Sequence, residues 1–119
     1  MRPLSHGVSD LPRPELQRRF SAAFARSEAQ ILLLPTTPCP APLIEQQTSF
    51  HIAGREVSDL ALARHTLAAS IAGLPGISMP MGRTRSGLPT GIELEAAFGR
   101  DAHLLEIAHR VEAVILAAR

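Results

Sequence analysis

The sequence predicts an α/β fold: strands of a mixed β-sheet flanked by about three helices. Three observations carry this reading. Residues 70–95, SIAGLPGISMPMGRTRSGLPTGIELE, pack a helix stop and two short strand-like runs around a turn-rich segment. Ile31-Leu32-Leu33-Leu34 is an uninterrupted apolar run closed by Pro35. Apolar residues recur at helical spacing at both ends of the chain, as Leu16, Phe20, Ala23 and Phe24 and as Leu104, Ala108, Val111 and Ile115.

Residues 1–11 are polar and unpatterned and are expected to be a flexible lead-in to one domain over residues 12–119. Arg13-Pro14-Glu15 is a helix start: a proline in the first turn forfeits no hydrogen bond, and a carboxylate suits the positive helix end. The arginines at 18, 19 and 26 fall mostly off the apolar stripe and are expected to face solvent. Ile31–Leu34 shows no alternation. It predicts a strand covered on both faces, of the kind found inside parallel sheets. So short a chain offers little material to cover it.

Thr36 to Pro42 holds three prolines and is an extended loop. Thr36 and Thr37 follow a strand end, where ligands contact open α/β sheets. Gln47–Ser58 predicts a hairpin turning at Ala53-Gly54. Ser58 then caps a helix over Asp59–Ala72 with a buried stripe of Leu60, Ala63, Leu67 and Ile71 and a polar side at Arg64, His65 and Thr66. Gly73 and Pro75 stop that helix. Gly76–Pro80 is a short buried strand, Arg83–Pro89 a turn, and Gly91-Ile92-Glu93-Leu94-Glu95 a strand with one wet face. Gly99 to Asp101 opens the last helix, with Asp101 expected as its cap.

The composition narrows the function. Hydrophobic content is 45%, yet the aromatic residues are four phenylalanines, so a core must be built from aliphatic side chains. A net charge of +1 does not suit a dedicated nucleic-acid binder. No run reaches the roughly 20 apolar residues of a membrane span, and the single Cys39 leaves no internal disulfide, so a cytoplasmic protein is expected. The five histidines and Cys39 lack metal-ligand spacing, and the glycines between 82 and 91 lack the Gly-Lys-Ser/Thr end of a phosphate loop; neither metal nor cofactor is expected.

Ala72-Gly73-Leu74-Pro75-Gly76-Ile77-Ser78-Met79-Pro80, followed by Gly87-Leu88-Pro89-Thr90-Gly91-Ile92, resembles the C-terminal signature of amidase signature family hydrolases. Leu34-Pro35-Thr36-Thr37-Pro38 resembles that family's upstream "PTTP" element, and residues 101–112 its terminal helix. The similarity runs over about residues 12 to 116, in family order. Gly54-Arg55-Glu56-Val57 and Arg64-x-Thr66 are similar to indoleacetamide and mandelamide hydrolases within it.

The resemblance implies a C-terminal fragment of the amidase signature fold. It also implies a mechanism: a serine, activated through a second serine and a lysine base, attacks an amide carbonyl, and water releases the acid from the acyl-enzyme. This chain has no lysine at any position and no two adjacent serines. No catalytic residue is therefore assigned, and Thr36, Thr37, Arg64 and Thr66 are the candidate substrate-binding residues. His65 and Ser70 do not share a helix face well enough for an independent dyad. The expected role is the C-terminal part of an amidase, inactive alone. The alternatives are a non-catalytic partner completing an upstream amidase half in trans, or the product of a truncated gene. The partners this implies are a small amide in the complete enzyme, the missing N-terminal portion, or a second copy of the chain.

Overall fold

A computed structural model describes residues 11–46 and 48–119. Residues 1–10 of the lead-in expected over 1–11 and the first hairpin residue, Gln47, lie outside the described residues. In chain order the elements are α1 (Arg13–Ser27), β1 (Leu32–Pro35), β2 (Ser49–Ile52), β3 (Arg55–Ser58), α2 (Leu67–Ala72), β4 (Gly76–Arg83), β5 (Pro89–Glu95) and α3 (Asp101–Ala117). Short 3-10 turns at Ile44–Gln46 and Asp59–Ala63 join them. The α/β class and the three helices agree with the sequence reading.

The main sheet has the order β1-β5-β4, with every pairing antiparallel. β5 is its centre. Met79, Leu94 and Ala96 pack on one face against Leu104, Ile107 and Ala108 of α3, with Ile77, Ile92 and Val111 at the margin. Leu94 is fully buried (0% exposed). The α3 stripe is thus close to the expected one, with Ile107 turned inward and Leu105 outward. Asp101 is the first helical residue rather than the cap, which falls on Arg100. α1 and α2 pack on each other through buried Leu16, Ala69 and Ala72, and Gln17 Nε2 donates to the Ala72 carbonyl at 2.7 Å.

β1 departs from expectation. It is an antiparallel edge strand, and Leu32 and Leu33 remain 37% and 51% exposed. Its apolar run asks for cover on both faces, and the described residues do not provide it. The helix expected over Asp59–Ala72 is also broken. Ser58 does cap it, accepting from the Leu60 amide at 3.1 Å. The 3-10 turn then ends at Ala63, and α2 begins only at Leu67. Leu60 is 79% exposed, so the first half of the stripe has nothing to bury against and helical packing cannot hold it.

The hairpin β2–β3 forms in the expected register, with Ala53 and Gly54 both at positive φ, as a tight hairpin turn requires. β4 outruns its expected end at Pro80. It continues to Arg83 because it is an edge strand, where a missing amide breaks no pairing, and a bulge between Pro80 and Gly82 absorbs the irregularity. Gly73 ends α2 in the left-handed conformation, at φ 71°.

The largest departure is on β5. Glu93 and Glu95 are not on a wet face: they are 8% and 1% exposed. They share the sheet face opposite Leu94 with Gly76, Ser78, Leu32 and Leu34. α1 borders this face, where Phe20, Phe24 and Leu32 line one hollow. Oε1 of Glu95 is buried without a hydrogen-bond partner. Burial raises the Glu93 carboxyl above its usual range. Burial and then the neighbouring Glu93 charge push Glu95 from 4.5 to about 7.

The described residues measure 49 × 40 × 20 Å, with a radius of gyration of 16.2 Å. A compact domain of this length would have one of about 13 Å. The molecule is a slab.

Two outcomes follow for stability. Gly73→Ala costs about 1 kcal/mol for the left-handed conformation, and little more, because the Arg13 guanidinium beside it is the free end of an exposed side chain that can swing aside. Urea unfolding should show this loss, and adding Arg13→Ala should restore little of it. The raised Glu95 carboxyl contributes stability that is fully present below pH 4.5 and is lost as pH rises through about 7. Glu95→Gln should match the parent at low pH and exceed it by about 3 kcal/mol at pH 8.5. Identical pH profiles for the two proteins would contradict this.

Candidate functional site

β1 delivers its C-terminal end to the start of β5, and a cleft of about 450 Å³ opens there. One wall is the loop after β1, stiffened by Pro38, Pro40 and Pro42; Met81 and Pro89 supply another. The prolines fix the backbone angle along the loop, so the cleft is held open by chain stiffness rather than by side-chain packing. Thr37, Cys39 and Thr90 bring the polar side-chain atoms, and no carboxylate, imidazole or guanidinium lines it among the described residues.

Thr36 turns to the Glu93 side of the sheet. Its Oγ1 lies 2.5 Å from Ser78 Oγ across the sheet, and its amide donates to the Gly91 carbonyl at 3.1 Å. Gly91 leaves room for this hydroxyl pair: a Cβ there would sit 2.9 Å from Thr36 Oγ1 and 3.3 Å from Ser78 Oγ. Thr37 lines the cleft, and its hydroxyl donates to the Cys39 carbonyl at 2.6 Å. That bond shapes the loop and leaves the hydroxyl oxygen free to accept.

Arg64 and Thr66 lie elsewhere, in the turn that interrupts the expected helix. Arg64 borders a second hollow, of about 510 Å³, with Val57, Leu60 and Leu67. Thr66 donates its hydroxyl to the Ala63 carbonyl at 3.3 Å. The four candidates therefore share no pocket: of them Thr37 alone lines the cleft and Arg64 alone the second hollow. What joins them is His65, whose Nδ1 is 2.7 Å from the Pro35 carbonyl. A carbonyl only accepts, so Nδ1 carries the proton and donates. The ring ties the turn to the end of β1, a role distinct from the base considered for Ser70.

Sequence reasoning missed Ser78, Gly91 and His65 as parts of this corner. The first two stand in the run that carries the family likeness, but only the strand register shows that they meet Thr36. The arrangement can bind and orient: hydroxyls and apolar walls are present, and among the described residues none of these hydroxyls is hydrogen-bonded to an imidazole. Among the described residues no cluster of three His, Cys, Asp or Glu side chains could hold a metal, and no helix is long and apolar enough to cross a membrane.

Comparison with known proteins fits this geometry. The amidase family profile matches residues 9–105. The chain is 40% identical over 97 residues to the A subunit of the glutamyl-tRNA(Gln) amidotransferase of Pseudomonas fluorescens (strain SBW25), covering 82% of this chain and 18% of that protein. It is 35% identical over 116 residues to the protein of the same name from Neisseria gonorrhoeae (strain NCCP11945), covering 92% and 22%. A crystal structure of an amidase superposes with a TM-score of 0.73 at 27% identity, over 85% of this chain and 23% of that one. The 6-aminohexanoate cyclic dimer hydrolase, solved with substrate, superposes with a TM-score of 0.67 at 29% identity, over 86% and 23%. The chain thus spans about a fifth of the length of the curated relatives it matches. Its fold is a fragment of the amidase signature fold, and the chain belongs to the amidase family.

Proposed function

We propose that this chain is the C-terminal part of an amidase-family hydrolase, which in complete form cleaves carbon–nitrogen amide bonds by a Ser-Ser-Lys mechanism. By itself it supplies sheet, flanking helices and one wall of a substrate cleft, and turns over no amide. One observation carries the reading: the chain has the family's sequence and fold without a lysine anywhere to serve as base. His65, the imidazole that reaches the end of β1, donates its Nδ1–H to the Pro35 carbonyl, and no serine or threonine hydroxyl is hydrogen-bonded to its Nε2 among the described residues. Thr36 and Thr37 are the substrate-side residues on this view, and Arg64 and Thr66 stand further out. The protein acts in the cytoplasm on this reading.

The likeness to indoleacetamide and mandelamide hydrolases carries less about substrate. Gly54 answers to the geometry of a hairpin turn, and Arg55 and Glu56 are exposed on its strand.

A second reading has its own support. Leu32, Leu33, Leu60, Phe98, Leu105 and Val114 are all exposed. So much large apolar surface on a thin slab suits a chain that completes an upstream amidase half in trans.

The purified chain should hydrolyse neither aryl- nor alkylamides above a mock preparation, and turnover that scales with chain concentration would overturn the first reading. Co-expression with an amidase portion carrying the Gly-Ser-Ser loop and lysine should restore hydrolysis. A stable monomer that melts cooperatively and leaves that portion inactive would defeat the second.

A further inference from the structure

The buried acids of β5 lie beside an open sheet edge. β4 pairs only with β5, so its other side is free among the described residues. At the start of that edge the backbone of Gly76 is exposed. A Cβ at Gly76 would lie 2.9 Å from Glu93 Oε1 and 3.8 Å from Glu95 Cγ. The Glu93 carboxylate therefore leans across β4 toward the free edge, over the one residue type that leaves it room. Behind it sits Glu95, with Oε1 fully enclosed and unbonded.

Among the described residues no cation answers these two carboxylates. The ion pairs found among the described residues join Glu15 to Arg18 and Arg19, on α1. Arg13 packs over Gly73 and forms no ion pair with either acid. A buried carboxylate without a partner is costly, and folds that keep one pair it with a cation or hold it protonated. An acid reaching toward an unpaired edge has room for the first solution, provided the cation arrives from outside.

We propose that the β4 edge at Gly76–Ser78 is the docking edge for the remainder of the amidase, and that an arginine or lysine side chain of that portion pairs with Glu93 in front of Glu95. The assignment rests on the trans-completion reading. The two unanswered acids, which a second copy would set against acids at the same edge, and the four-fifths of the relatives' length that this chain does not span select this occupant.

The test mixes the full chain with the part of the Pseudomonas fluorescens amidotransferase polypeptide that lies outside its matched segment, and measures affinity by calorimetry. The parent should bind, and Glu93→Gln and Glu95→Gln should each weaken binding at least tenfold, with a smaller salt dependence. Glu56→Gln, on the exposed hairpin, should change nothing. Glutamine has no charge to desolvate, so both variants should melt at or above the parent temperature, which separates lost contact from lost fold. Gly76→Ala, which crowds Glu93 Oε1, should weaken binding without changing charge. Parent-like affinity in both glutamine variants would overturn the docking edge while leaving trans-completion standing. Failure of the parent to bind would overturn both. A chain that instead dimerises alone, and loses the dimer on Gly76→Ala, would show the edge to be a self-association surface and overturn the assigned occupant.

Discussion

Everything in this molecule is referred to β5. Among the described residues it is the one strand with neighbours on both sides, and its side chains divide the structure into two halves. Leu94 and Ala96 face α3 and make an ordinary aliphatic core. Glu93 and Glu95 face the other way and are buried almost as completely. A two-residue period forces this division, because a strand cannot bury Leu94 on one side without committing its neighbours to the other. The apolar half supplies cohesion. The acidic half draws on it, since two carboxylates share a dry face without a countercharge among the described residues.

The elements with strong local signals were readable from sequence. The hairpin turn at Ala53-Gly54, the stop at Gly73 and the α3 stripe depend on neighbours a few residues away, and the structure holds them where expected. The misreadings share one cause. Whether Leu33 is covered, whether Leu60 finds a surface to bury against, and whether Glu95 meets water are questions about layers distant in sequence. Alternation along 91–95 marks two different faces; it does not say that the charged one is wet. Here both faces are covered.

The corner around the cleft was half legible. Thr36 and Thr37 follow a strand end, and the structure sets them at the corner where β1 and β5 meet. Ser78 and Gly91 could not be attached to them without the register of β4 on β5 and the bond from the Thr36 amide to Gly91. Arg64 and Thr66 are expected on the polar side of a helix that does not form in one piece. The break frees His65 to reach the Pro35 carbonyl, so the same event that separates the candidates also latches their two segments together.

Pro80 gives the free side of β4 a built-in length limit. An incoming strand can zip along Gly76 to Met79, but at Pro80 it meets a position with no amide to offer, and the bulge that follows turns the backbone out of line. The ladder available is therefore about four residues long. An edge of that span holds a partner only if side chains add to it, and it gives endless strand-on-strand stacking a poor template.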